Sequence, residues 1–284
     1  MSMRINHNVL SIGVHRNLAK TENSMNQAVT RLSSGLRINN SWDDPAGLAV
    51  SEKFRAQIDS MVEAERNANY AINLLSTAEG ALDTIDEKLI RMRALSVEAS
   101  NGTLNSLDRS YLDVEFQQLK SEITRIASVT NYNGVYLIDG TYSQGASGAG
   151  GQGIKFHIGT YNVSNEDYYY VNLGDMTSSG LGLTSVSLTN TANAQSAIGM
   201  LDSAIDVKDT ERTRIGSYVS RMQNTVTNLQ ISRENAVASE SQIRDADMAV
   251  EMAAYTRAQI LMQSGVSMMS QANSAPNYVA GLLR

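Results

Sequence analysis

Apolar side chains recur at steps of three and four residues along most of the chain, and only two prolines, Pro45 and Pro276, interrupt it. That spacing places one face of a helix in a core. Val14, Leu18, Met25, Val29, Leu32 and Leu36 form the first such row, closed by Gly35 and the polar stretch Asn39, Asn40, Ser41. A second row runs Ile72, Leu75, Ala78, Leu82, Ile85, Leu89, Met92, Leu95, Ala99, and its mean step of about 3.4 residues fits a coiled-coil seam. It stops at Asn101-Gly102. Leu112, Phe116, Leu119, Ile123 and Ile126 make a third row, followed by the hairpin-type turn signals Asn133-Gly134 and Asp139-Gly140.

Residues 141–190 differ in kind. Gly, Ser, Thr and Tyr dominate, and the alternation Ile154, Phe156, Ile158 reads as a strand, which predicts a small β or loop insertion. From about residue 193 the helical spacing returns, with Ile198, Leu201, Ile205, Ile215, Val219, Met222, Val226, Leu229, Ala236 and Ile243 in one register. Continuous to about residue 235, that helix would be on the order of 60 Å long. The last segment departs again. Met248, Val250, Met252, Tyr255, Ile260, Leu261, Met262, Val266, Met268 and Met269 occupy more than one face, which a lone amphipathic helix does not need. Burying them would gain about as much free energy as ordering the segment costs, so both chain ends are expected to become ordered only when neighbouring copies cover them.

Composition narrows the class. The sequence holds three Phe and one Trp against thirteen Met, which favours helix-on-helix packing. With no cysteine, disulfides and thiolate metal or redox sites are absent from the repertoire. A net charge of -6 and the lack of a basic block argue against a nucleic-acid binder. No apolar run reaches the length of a membrane span, and MSMRINHNVLSIG is too interrupted for a signal peptide, so no membrane insertion is expected.

Candidate chemistry is sparse. Gly148–Gly153 (GAGGQG) satisfies a dinucleotide fingerprint literally, but a strand follows it where a helix is required. Asp43 and Asp44 before Pro45 read as a helix start rather than a cation site. His7, His15 and His157 sit in no metal-ligand spacing or nucleophile-base arrangement. Carboxylate pairs such as Asp86 with Glu87 belong to polar helix faces. No enzyme, cofactor or metal site is expected. Ser143, Ser147, Thr177, Ser178 and Ser179 are candidate O-glycosylation acceptors on residue type, with ordinary loop polarity as the simpler account.

RLSSGLRINNSWDDPAGLAVSEKFRAQI (residues 31–58) resembles the N-terminal signature of bacterial flagellin. ERNANYAINLLSTAEGALDTIDEKLIRMRALSVEASNGT (residues 65–103) and the C-terminal stretch ending in Gln-Ala-Asn and Leu-Leu-Arg resemble the same family, over roughly residues 1–140 and 193–284. The resemblance implies a mainly α fold of long antiparallel helices in coiled-coil bundles, with a small β-hairpin or loop insertion around 132–190. Residues 1–41 and 242–284 would pair as the terminal coiled coil of an inner tube, and 42–241 would form the helical bundle of the outer tube, without the large outer domains of well-known flagellins.

The implied function is a structural subunit of the flagellar filament, secreted through the flagellar type III apparatus and assembled into a propeller. A hook-filament junction protein is the alternative, and an activity displayed in residues 141–190 is a rival of another class that no motif supports. Implied partners are further copies of the chain, an export chaperone, the filament cap and junction proteins. Leu18, Met25, Leu32, Leu36, Met252, Leu261, Met262, Val266 and Met268 are the candidate subunit-packing residues. In flagellins sensed by the animal Toll-like flagellin receptor, contacts fall on an R-x-R-x-L helix and an acidic residue of the next helix, which match Arg91, Leu95 and Glu115. Ala94 stands where many sensed flagellins carry a charge.

Overall fold

The structure, a computed structural model, describes residues 7–143 and 153–282, the last eight of them as backbone alone. Among the described residues the helices are α1 (Val9–Ser34), α2 (Pro45–Ala99), α3 (Ser106–Val129), α4 (Thr191–Arg244) and α5 (Met248–Leu282). The short strands β1 (Asn131–Tyr132), β2 (Val135–Tyr136), β3 (Ile154–His157) and β4 (Tyr168–Val171) lie between α3 and α4. The mainly α class expected from the periodicity is observed, and α4 spans the whole row read from about residue 193 to Ile243.

Each helix opens on an Asn or Asp whose side chain takes up a free N–H of the first turn. Asn8 accepts from the Ser11 amide at 3.0 Å, Asp44 from Gly47 at 2.9 Å and Asn105 from Asp108 at 2.9 Å. Asn190 accepts from Asn193 at 2.7 Å and Asp247 from Ala249 at 2.9 Å. Asp43 turns back instead, accepting from the amides of Asn39 and Asn40 at 3.1 and 3.0 Å. Both aspartates of the Asp-Asp-Pro element are thus committed to starting α2.

The chain divides into two compact units, Met1–Ile58 with Glu234–Arg284, and Asp59–Arg233. The first turns of α2 and the last turns of α4 therefore group with the chain ends.

In Asp59–Arg233 the row Leu75, Ala78, Leu82, Ile85, Leu89, Met92, Leu95, Ala99 is fully buried, and Phe116, Ile123 and Ala127 of α3 join it. Ile72, read with that row, is only half-buried. The α4 face differs from the expected register. Its buried positions include Ala194, Ala197, Leu201, Ala204, Lys208, Glu211, Ile215 and Met222, while Ile198 and Ile205 flank them half-buried. Small residues and two charges occupy seam positions that an apolar reading passes over. Lys208 is stabilised there by Asp86 at 2.5 Å and Asp209 at 2.6 Å. Burial pulls its ammonium down, and the two carboxylates outweigh that and hold it above the usual lysine range.

Residues 172–190 form no regular structure, yet Leu173, Met176, Leu181, Leu183, Val186 and Leu188 are buried in the same core. Side chains of α3 and α4 satisfy the backbone that a sheet would otherwise pair. Asp113 accepts from the Leu188 amide at 2.7 Å, Gln117 donates to the Val186 carbonyl at 3.1 Å and Glu211 accepts from the Gly174 amide at 3.0 Å. The segment read as a polar insertion is thus partly a core cover.

β1 and β2 pair antiparallel across Asn133-Gly134, whose φ angles of 50° and 79° are those of a tight hairpin turn. Asp139-Gly140 does not make a second hairpin. Asp139 accepts from the Thr141 amide at 2.9 Å and bridges to Asp175 instead. β3 pairs antiparallel with β4. Tyr169 of β4 is buried, stacks on Tyr218 with centroids 6.4 Å apart and carries Arg221 at 4.1 Å over its ring. Tyr168 stacks on His157 on the other face, so the tyrosine run alternates inward and outward. Positions 148–152 of the glycine-rich stretch lie outside the described residues.

Candidate assembly surface

In the terminal unit α1 and α5 pair antiparallel. Asn8 donates to the Ala272 carbonyl at 2.8 Å, Ser11 to Asn273 at 2.8 Å, and Arg31 pairs with Glu251 at 2.9 Å. Near the end of α1, Gly35 adopts φ 73°, and its carbonyl accepts from the Ala246 amide at 2.9 Å while Arg37 donates from its amide to the Arg244 carbonyl at 2.7 Å. These bonds tie the α1–α2 connection to the α4–α5 connection. Arg244 extends the tie by donating to Glu52 at 2.8 Å, which holds that carboxyl below its ordinary value.

The seam between the two helices keeps a strict alternation of three and four. On α1 the inward positions are Ser11, Val14, Leu18, Thr21, Met25, Ala28 and Leu32; on α5 they are Glu251, Tyr255, Ala258, Met262, Gly265, Met269 and Ala272. This is the coiled-coil spacing, filled with small or polar residues at many positions. Gly265 admits Leu18 so closely that a Cβ there would lie 2.7 Å from its Cδ1. Only Ala28, Ala258 and Ala272 of the seam are fully buried.

Seven other apolar side chains of α5 point elsewhere. Met248, Val250, Met252, Ile260, Leu261, Val266 and Met268 are between 49% and 61% exposed. Val9, Leu10, Ile12 and Val29 of α1 are exposed as well, at 46% to 66%. Met252, Ala253, Thr256, Arg257, Ile260 and Leu261 line a shallow, mainly apolar depression on α5. Exposed apolar residues in such number are a feature of surfaces that contact other molecules.

Family models for the bacterial flagellin N-terminal and C-terminal helical regions match residues 5–143 and 198–283. The flagellin FlaB2 of Treponema pallidum (strain Nichols) is 40% identical over 289 residues, covering 99% of this chain and 100% of that protein. This chain belongs to the bacterial flagellin family. A flagellin of Halalkalibacterium halodurans is 40% identical over 282 residues, again covering 99% of this chain and 100% of the relative. A solved structure from Vibrio parahaemolyticus, provisionally described as a flagellar hook-associated protein, aligns at TM-score 0.57 and 16% identity over 72% of this chain and 100% of that one. At that identity it speaks for the fold alone. The flagellin is a structural subunit of the flagellar filament, and the junction-protein alternative is not favoured.

The sequence-derived packing residues of this flagellin fall into two groups. Leu18, Met25, Leu32, Leu36 and Met262 are half-buried within the chain's own pairing, Leu36 by its bridge to Asp245. Met252, Leu261, Val266 and Met268 are exposed. Val29, read as part of the inward row of α1, is 46% exposed, because Ala28 takes the seam position. Val9, Leu10 and Ile12, which the sequence reading did not single out, are exposed as well, and Val9-Leu10-Ser11-Ile12 spreads apolar residues over more than one helix face.

Of the receptor-matching residues, Arg91 and Glu115 pair at 2.8 Å on the surface, with the Arg91 guanidinium held above its ordinary value by that hydrogen bond. Leu95 is fully buried and presents nothing outward. Ile90, Val97, Leu107 and Val114 are exposed on the same two helices. Among the glycosylation candidates, Thr177 and Ser178 are half-buried, with Thr177 donating to Asp175 at 2.6 Å and Ser178 accepting from Thr124 at 2.8 Å. Ser143 donates to the Gly140 carbonyl at 2.9 Å, and Ser179 is exposed beside Thr177. Ser147 lies outside the described residues.

Proposed function

We propose that this flagellin polymerises by laying the outward apolar faces of α1 and α5 against the same helices of neighbouring copies. The single observation that carries this reading is the exposure of Met252, Leu261, Val266 and Met268 on a helix whose own seam is filled by a different set, Tyr255, Ala258, Met262, Gly265, Met269 and Ala272. Leu18, Met25, Leu32, Leu36 and Met262 hold the pair together, and the exposed set contacts neighbours. In the filament, residues 1–41 and 242–284 form the inner tube and 42–241 the surrounding layer. The α1–α5 pair buries too little to be firmly ordered alone, so its ends become ordered on assembly.

An export chaperone covers the same α5 face before assembly, and the filament cap and junction proteins meet the chain at the ends of the polymer. Arg91 and Glu115 are the surface groups available to a Toll-like flagellin receptor, with Leu95 shaping the helix from inside. Ser179 is the glycan acceptor with the fewest structural obligations.

Electron microscopy of purified protein after dissociation and return to neutral buffer, beside a chain ending at residue 241, tests the reading. Long filaments from the full chain and none from the shortened one are expected. Filaments from both would overturn a role for α5, and rings or short stubs from the full chain would overturn filament assembly.

A further inference from the structure

The sequence has thirteen methionines and no cysteine, so thioethers are its only readily oxidised sulfur. Their placement is uneven. Met92, Met176 and Met222 are at most 2% exposed inside the Asp59–Arg233 core, whereas Met248, Met252 and Met268 stand 49% to 57% exposed on α5. Resting on the assembly reading above, we infer that Met248, Met252 and Met268 form a modification site for peroxides, at which sulfoxidation disables the free subunit for polymerisation while the polymer protects the same residues.

The chemistry balances with hydrogen peroxide as the named oxidant. A sulfur lone pair attacks one peroxide oxygen, an S–O bond forms as the O–O bond breaks, and the departing oxygen leaves as water after proton transfer. Sulfur loses two electrons and the peroxide gains them. The product replaces a flexible apolar group with a polar, chiral sulfoxide, which a packed apolar interface accommodates poorly. Met252 lines a mainly apolar depression with Ala253, Thr256, Arg257, Ile260 and Leu261, where a sulfoxide oxygen would disturb the contact with an apolar partner surface.

The test treats the free full-length chain with hydrogen peroxide, quenches it, maps peptides by mass spectrometry and then measures the critical concentration for polymerisation. A gain of about 16 Da is expected at each of the three α5 residues and at Met200, which is 43% exposed on α4, with none at Met92 or Met222. The critical concentration should rise about tenfold or more, and methionine sulfoxide reductase should restore it. The same dose applied to filaments should leave the α5 residues unmodified. The triple variant M248L, M252L and M268L should polymerise and lose the peroxide sensitivity; should it fail to assemble, the reductase rescue of the unaltered chain decides.

Equal oxidation of the three residues in filaments and free chain would overturn the assembly face itself. Protection in filaments combined with normal polymerisation of oxidised chain would overturn the redox inference alone. An absence of oxidation in the free chain, or an oxidised chain that the reductase repairs without regaining assembly, would also overturn it.

Discussion

Two regions of this flagellin use the same three-and-four spacing to opposite ends. In Asp59–Arg233 the spacing carries Leu75, Leu82, Ile85, Leu89, Phe116 and Ile123 into a core where none is exposed. In the unit made from both chain ends, the buried apolar residues among those described are Ala28, Ile38, Ala236, Ala258 and Ala272, and Met248, Val250, Met252, Ile260, Leu261, Val266 and Met268 of α5 face out. Burial of apolar area is the main favourable term in folding, so the first region is complete as a single chain and the second is not. On the assembly reading proposed above, the free energy of folding lies mainly in the first region and that of polymerisation in the second.

Substitutions that remove large side chains should therefore act on stability in one region and on polymerisation in the other. The largest expected loss in the free chain is from Phe116→Ala, about 3–5 kcal/mol in denaturant unfolding; a loss below about 1 kcal/mol would break the comparison. Asp86→Ala comes next, at about 1–3 kcal/mol, because it leaves buried Lys208 with Asp209 alone. Lys208→Met combined with Asp86→Ala, which removes the buried pair together, should be neutral or stabilising.

The pH dependence of the Lys208 contribution has a defined sign. Its folded pKa lies above the unfolded value, so the stabilisation is present in full below the ordinary lysine pKa and is lost as pH rises through the folded one. Unfolding measured across the alkaline range should fall more steeply for the parent than for Lys208→Met.

Gly35→Ala should cost about 1 kcal/mol, since position 35 has φ 73° and open space around it, leaving only backbone strain. The smallest effect is expected from Val266→Ala, within about 0.5 kcal/mol in the free chain because the side chain is already 56% exposed. The same substitution should still weaken filaments.

The helical plan was legible wherever large apolar residues mark the seam. The α2 row from Leu75 to Ala99 is buried as read. Legibility failed where the seam is made of other residues. Ala194, Ala197 and Ala204 of α4 carry little hydrophobic signal, and Lys208 and Glu211 carry the opposite one, so the register drifted to Ile198 and Ile205. Ala28 lost its place to Val29 for the same reason. The buried loop containing Leu181, Leu183 and Val186 follows no helix or strand period, because its backbone is satisfied by side chains of α3 and α4. For the assembly surface, the excess of apolar residues on α5 was visible in the sequence. Which of them face inward was not, since that choice depends on how closely Gly265 and Ala258 let α1 approach.

The most direct test of the central claim is a paired measurement on the double variant Leu261→Asp with Val266→Asp, recording chemical unfolding of the free chain and its critical concentration for polymerisation. Unchanged unfolding with loss of filaments is the predicted result, because both side chains are exposed in the single chain and a charge buried without a partner is costly in an interface. Filaments forming at the parental concentration would contradict the account, as would a variant chain whose unfolding falls as far as that of Phe116→Ala.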